Sequence, residues 1–361
     1  VNVTITEPTA LVATVTEVPF ACSPSNTKVA GSITINATVG SGTSPYKYSF
    51  NGGAFGTNNV FTVNDNGSDQ NYSYSVQDAK GCTVSGTGTL FKLNPPTDLA
   101  FTNAPITCSS TTTTVFVTAT NGVGDLTFLI TSTTSATNPS LFGPVTTTGS
   151  AVPASFPGLL PGNYTFRVTD ANGCYYNESV NIAPVVPIAV AAAKLTDVDC
   201  FGNTTGSIRY NVSGFSGTYS YTINGGTAVT GQTAPTFTLP NLGANTYSVV
   251  FTDAITSCTA TTSVIISQPS SALALNLVSN KNANCNVATA RVEVIAAGGT
   301  PSYTYAFVQN NIAPLATDYT ASAIANLNPL TNLNWDVWVK DSKGCTIKID
   351  VTIATDPTPA V

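Results

Sequence analysis

Four times along the chain, large apolar residues fall at every second position just ahead of the same polar phrase. Tyr72, Tyr74 and Val76 precede "DAKGC" (78–82), Tyr164, Phe166 and Val168 precede "DANGC" (170–174), and Trp335, Val337 and Val339 precede "DSKGC" (341–345). Tyr247, Val249 and Phe251 precede a longer version, "DAITSC" (253–258). The residues between them are mostly Ser, Thr, Arg, Asp or Lys. A period of two with one apolar side predicts a strand with one face buried and one wet, as in an antiparallel sandwich.

An earlier alternating stretch recurs in step with the first. It carries Ile33, Ile35 and Ala37, then Val115, Val117 and Ala119, then Ile208, Tyr210 and Val212, then Val292, Val294 and Ala296. A Gly-containing turn and an aromatic strand follow: "SPYKYSFNGG" (44–53), the weaker "GDLTFLI" (124–130), "GTYSYTINGG" (217–226) and "PSYTYAFVQN" (301–310). No stretch of ten residues carries a helical period. Each unit closes on a short strand and a proline, as in "SVNIAP" (179–184), "SVIISQP" (263–269) and "DVTIATDP" (350–357), with a looser "TLFKLNPP" (89–96) in the first. Proline suits such junctions because it cannot donate to a ladder and stiffens a short linker.

The cysteines give the period. They stand at 22, 82, 108, 174, 200, 258, 285 and 345, with intervals of 60, 26, 66, 26, 58, 27 and 60 residues. A fixed period of this size predicts repeated units. The expected fold is all-β: a tandem array of four small immunoglobulin-like antiparallel β-sandwich domains. Residues 1–8, "VNVTITEP", are the expected closing strand of a preceding repeat, and the array is expected to be cut from a longer one. The repeats are expected at 9–95, 96–184, 185–269 and 270–361.

The phrase Asp-x-x-Gly-Cys has a plain reading as a hairpin corner. Asp accepts backbone N–H bonds at the start of a tight turn, and Gly supplies the positive φ that ends it. Calcium ligation by Asp78, Asp170, Asp253 and Asp341 is the rival reading, but calcium takes six to eight oxygens and no acidic loop surrounds these four. Asp197 and Asp199 at a junction are an equally weak calcium candidate.

Zinc would need cysteine or histidine pairs two to four residues apart, and a cysteine nucleophile would need a base. There is no such pair and no histidine. Disulfides in an oxidising compartment remain. Spacing does not fix their connectivity, but pairing inside each repeat, Cys22–Cys82, Cys108–Cys174, Cys200–Cys258 and Cys285–Cys345, leaves none over and is the expected arrangement. Pairing across a junction, 82–108, 174–200 and 258–285, would orphan Cys22 and Cys345. Closing a 60-residue loop would stabilise a small domain by about 4 kcal/mol at most. The intradomain bond requires both cysteines at one end of the sandwich, hence an even number of strands, six being expected; a seven-strand immunoglobulin order would put them at opposite ends.

Charged residues make up 8% of the chain and the net charge is −6. That gives no basic patch for nucleic acid. The longest apolar run, "APVVPIAVAAA" (183–193), is too short and too rich in proline to span a membrane. No cofactor is expected. Most aromatics read as core. Trp338 points away from Val337 and Val339, where the other repeats have Ser75, Arg167 and Val250; it is either an exposed surface contact or covered by a neighbouring loop. The segment 131–162 reads as the longest variable loop, and loops on a rigid scaffold are where contacts are expected.

Taken together, "CFGNTTGSI" (200–208), "GGTPSYTYAF" (298–307), "YTFRVTDANGC" (164–174) and "SVIISQP" (263–269) resemble the SprB-type repeat of Bacteroidetes surface adhesins, four times over. The resemblance implies a very long cell-surface protein exported by the type IX secretion system, with gliding motility as the best-known role and no catalytic residues to carry over. The expected function is a non-enzymatic structural and adhesive repeat segment of a cell-surface filament or adhesin. Its partners would be neighbouring repeats and, through loops, extracellular surfaces or glycans. A carbohydrate-binding module array of a large secreted protein is the alternative, which would need an aromatic platform repeated at one register.

Overall fold

The structure is a computed structural model that describes residue 7 and residues 9–357. The expected closing strand at 1–8 therefore lies, Glu7 apart, outside the described residues. The chain divides into two compact units, Val1–Val185 and Val186–Val361.

Unit 1 opens with β1 (Ala13–Val18), the short pair β2 (Ala21–Cys22) and β3 (Lys28–Val29), then β4 (Gly31–Ala37), β5 (Lys47–Phe50), β6 (Val60–Val63), β7 (Gln70–Gln77) and β8 (Thr83–Leu90). One sheet has the order β1-β4-β6 and the facing sheet β5-β7-β8. The unit continues with β9 (Asp98–Asn103), β10 (Thr113–Thr120), β11 (Leu126–Thr133), β12 (Val145–Thr147), β13 (Ala154–Leu159), β14 (Gly162–Thr169) and β15 (Tyr175–Ile182). Their sheets are β13-β10-β9 and β12-β11-β14-β15.

Unit 2 repeats the scheme. β16 (Ala189–Thr196), β17 (Gly206–Ser213), β18 (Tyr219–Ile223), β19 (Val229–Gln232), β20 (Thr236–Leu242), β21 (Asn245–Asp253) and β22 (Thr259–Ile266) form β16-β17-β20 and β19-β18-β21-β22. β23 (Ala274–Lys281), β24 (Ala290–Ala297), β25 (Thr304–Gln309), β26 (Ile324–Leu327), β27 (Asn334–Lys340) and β28 (Thr346–Thr352) form β23-β24-β26 and β25-β27-β28. Adjacent strands of these sheets are antiparallel. The fold is all-β and immunoglobulin-like in strand order.

The alternating residues form the cores. Ile33 and Ile35 meet Tyr72 and Val76 between the first two sheets. Val115 and Val117 meet Phe166 and Val168, and Val292 and Val294 meet Val337 and Val339. In the remaining pair Tyr210 packs on Phe251 with ring centroids 5.5 Å apart. Burial of each large side chain in such a core is worth about 1.5–3 kcal/mol, which is why the period of two survives in every copy.

Strand number decides where the loops lie. In the seven-strand copies the chain reverses at every strand, so the connection after the first strand and the turn after the sixth fall at opposite ends. The six-strand copies keep the same course: the segment after β5 still runs back along it, with Gly56 bridging Tyr48, and Thr320 bridges Tyr305 in the same way. The expected six-strand reversal, with both cysteine loops at one end, is thereby corrected.

The segment 131–162, read from sequence as a loop, holds β12, β13 and a short 3₁₀ turn at Pro139–Leu141. Ala154, Phe156 and Leu159 of β13 are all buried. Pro157 and Gly158 form a bulge that sets Phe156 and Leu159 three apart, which hides the strand from a period-two reading. β20 carries the same device, with Leu239 and Leu242 flanking Pro240 and Asn241. Both Gly158 and Asn241 have positive φ, 75° and 60°.

Candidate functional site

The recurring turn is a clamp built on one carboxylate. Asp78 Oδ1 accepts from the Lys80 and Cys82 N–H groups, each at 2.9 Å, and Oδ2 accepts from Thr43 N–H at 2.9 Å. Asp341 does the same with Lys343 (3.0 Å), Cys345 (2.9 Å) and, across the sheet edge, Thr300 (2.8 Å). Asp170 repeats it with Asn172, Cys174 and, at 3.4 Å, Val123. Asp253 holds Ile255 and Thr256, each at 2.8 Å, in the longer turn and also accepts from Ser216. All four are buried. Burial pushes the Asp78 carboxyl up, but the N–H groups of Thr43, Cys82, Lys80 and Gly81 outweigh it and hold the group below its ordinary value. Asp253 is lowered likewise, burial being outweighed by Thr256, Ser216 and Ile255. These carboxylates spend both oxygens on backbone, joining the turn to the connection between the second and third strands.

Asp197 is also structural: Oδ1 accepts from Ser267 N–H at 2.7 Å and Oδ2 from Lys194 Nζ at 2.9 Å. The neighbouring Asp199 donates its backbone N–H to Thr205 Oγ1.

The cysteine pairing expected within repeats is overturned. Cys22 is bonded to Cys174, and Cys200 to Cys345. Cys108 and Cys258 are disulfide-bonded, while Cys82 and Cys285 are exposed free thiols. The reason is topological. Ala37, at the end of β4, pairs with Ala13 at the start of β1, whereas Val18, at the end of β1, pairs with Ser32. Cys22 follows the end of β1. The turn holding Cys82 is bonded through Asp78 to Thr43, which follows the end of β4. The two cysteines therefore sit at opposite ends of strands about 25 Å long, far beyond the reach of a disulfide. The strand that closes one sandwich runs toward the Cys22 end, so the next sandwich presents its Asp-clamped turn there.

At this joint in unit 1, the Cys22 N–H donates to Asn172 O at 2.9 Å. The Asn26 amide pairs with the backbone of Tyr175 in both directions, Nδ2 to Tyr175 O at 2.8 Å and Tyr175 N–H to Oδ1 at 2.9 Å. Asn26 tolerates its positive φ of 61° because its short polar side chain suits that region. Cys174 is fully buried and belongs to the core cluster of the first sandwich. Sequence reading did not find Asn26, since its partners lie 149 residues away.

A second recurring support was also missed. Tyr164 and Tyr247, at the start of β14 and β21, donate their hydroxyls to the carbonyls four residues back, Leu160 at 2.7 Å and Gly243 at 3.1 Å. Trp335 Nε1 donates to Asn332 O at 2.9 Å in the equivalent place. This is the tyrosine-corner device of immunoglobulin-like sandwiches. Trp338 is half-buried, and its indole N–H is enclosed with no acceptor among the described residues.

Residues 192–228, which run from β16 through β17 and β18, match the family model described as SprB repeat. The chain carries a SprB repeat. Among solved structures, the chain is similar to invasin, a bacterial integrin-binding protein, at 12% identity over 95% of this chain and 79% of that one, with a TM-score of 0.38. It is similar to three N-terminal domains of the highly immunogenic outer capsid protein of bacteriophage RB49, at 11% identity over 73% and 100%, TM-score 0.37. It is also similar to a tetra-tandem repeat from the extending region of a large adhesion protein, at 15% identity over 96% and 100%, TM-score 0.27. No curated protein matches the chain. Its SprB repeat and paired sheets make it a β-sandwich repeat segment.

Proposed function

We propose that this chain is a non-enzymatic structural and adhesive repeat segment of a long bacterial cell-surface filament or adhesin, serving surface attachment or gliding motility. The observation that carries the reading is the SprB repeat at 192–228, which falls on the strands of one sandwich and whose aromatic-strand phrase recurs in the others. On this reading the sheet pairs are four modules at 9–95, 96–184, 185–269 and 270–361, and the SprB repeat occurs four times. The disulfides support an extracellular or cell-surface setting, and the SprB resemblance implies export by type IX secretion. No helix among the described residues is long and apolar enough to cross a membrane. Contacts with surfaces or glycans fall to loops at the module ends, because the half-buried Trp338 is a poor platform.

The test is retention of beads. Beads coated with the oxidised segment are expected to stay on glass and on agarose under flow several-fold longer than albumin-coated beads. Retention no longer than that of albumin-coated beads on both surfaces would overturn the reading, and retention abolished by one soluble glycan alone would replace it with the carbohydrate-binding alternative.

A further inference from the structure

We infer that Cys82 and Cys285 are unmatched halves of further inter-module disulfides: each bonds a further sandwich module of this kind. Cys82 would take the cysteine that follows such a module's first strand, and Cys285 would take a turn cysteine. The inference rests on the tandem reading proposed above but not on adhesion.

The bonds Cys22–Cys174 and Cys200–Cys345 obey one rule. The cysteine after the first strand of a sandwich, Cys22 after β1 or Cys200 after β16, joins the turn cysteine of the sandwich that follows it, Cys174 or Cys345. Cys285 follows β23 as Cys22 follows β1. Cys82 occupies the turn after β7, clamped by Asp78 with the same two bonds that Asp170 and Asp341 make. The turn backbone is thus already in the bonding shape. What differs is cover: Cys174 is 0% exposed and Cys345 8%, whereas Cys82 is exposed. Beside Cys82 lies an open hollow of about 450 Å³ lined by Ala10, Leu11, Asp78, Lys80 and Thr83. It sits at the end of the sandwich that, in the second sandwich of unit 1, abuts its neighbour. The surface is the established joint with one side uncovered.

The chemistry is thiol–disulfide exchange with a small disulfide oxidant. The Cys285 thiolate attacks the oxidant, forming a mixed disulfide and releasing one thiol. The Cys82 thiolate of the next module attacks the Cys285 sulfur, forming the protein disulfide and releasing the second thiol. Two protein thiols give up two electrons and two protons, and one oxidant disulfide becomes two thiols.

A second copy of this chain carries both halves, which supplies the experiment. The full chain and its Cys82→Ser and Cys285→Ser variants are incubated with oxidised glutathione, then resolved without reductant and peptide-mapped. The unaltered chain is expected to give a ladder of covalent oligomers containing a Cys82–Cys285 peptide. Each variant alone should stay monomeric, and their equimolar mixture should stop at a dimer. Dimers of a single variant, a Cys82–Cys285 bond inside a monomer, or monomers glutathionylated at both cysteines would each overturn the inference. The same map reads the Cys22–Cys174 and Cys200–Cys345 peptides: their absence would sink the tandem reading itself, while their presence without a ladder would sink only this inference.

Discussion

At the scale of single residues, the turn aspartate does more than its local sequence announces. The two bonds inside each turn follow from Asp-x-x-Gly, and that much was legible. The third, from Asp341 Oδ2 to the Thr300 N–H, joins residues 41 apart and has no local signature. Asp341→Ala would leave three N–H groups without an acceptor and is expected to cost on the order of 3 kcal/mol, with Asp341→Asn intermediate, as read by denaturant unfolding of the oxidised protein. Titration carries the same logic. Asp78 and Asp253 have folded pKa values below the ordinary 3.8. Their contribution is complete above the unfolded value and is lost as pH falls through the lower folded values. Thermal midpoints should therefore hold between pH 7 and 5 and fall below about pH 4; a midpoint that rises on acidification would contradict the clamp.

At the scale of elements, long strands that alternate cleanly are legible in the sequence, and strands that are short, such as β6 and β26, or that break the alternation are not. β4, β7, β14 and β27 keep the period of two and bury the residues it selects. β13 and β20 break it with Pro157-Gly158 and Pro240-Asn241, so their core residues lie out of phase. That omission had a price at the joint, since losing one reversal moves a cysteine loop to the other end of the sandwich. Cysteine spacing could not supply the correction: the repeat period that fits a bond within modules fits a bond between them equally well. What distinguishes the two is strand direction, and direction depends on counting every crossing of the sandwich.

For the molecule as a whole, the bonds between sandwiches alter the route along the polypeptide. Cys22–Cys174 and Cys200–Cys345 bridge separations of 152 and 145 residues. When the two ends are drawn apart, tension enters through the first strand, crosses the sulfur bridge and by-passes nearly both sandwiches of each unit. Shielded strands feel little force even where their hydrogen bonds would yield. Single-molecule stretching should show the oxidised chain reaching a contour of about 220 Å, against about 1,200 Å after reduction, at some 3.4 Å per extended residue; equal contours before and after reduction would refute it. A chain strung in this way yields only where its edge strands peel and then stops short, with the strands enclosed by each sulfur bridge spared the load.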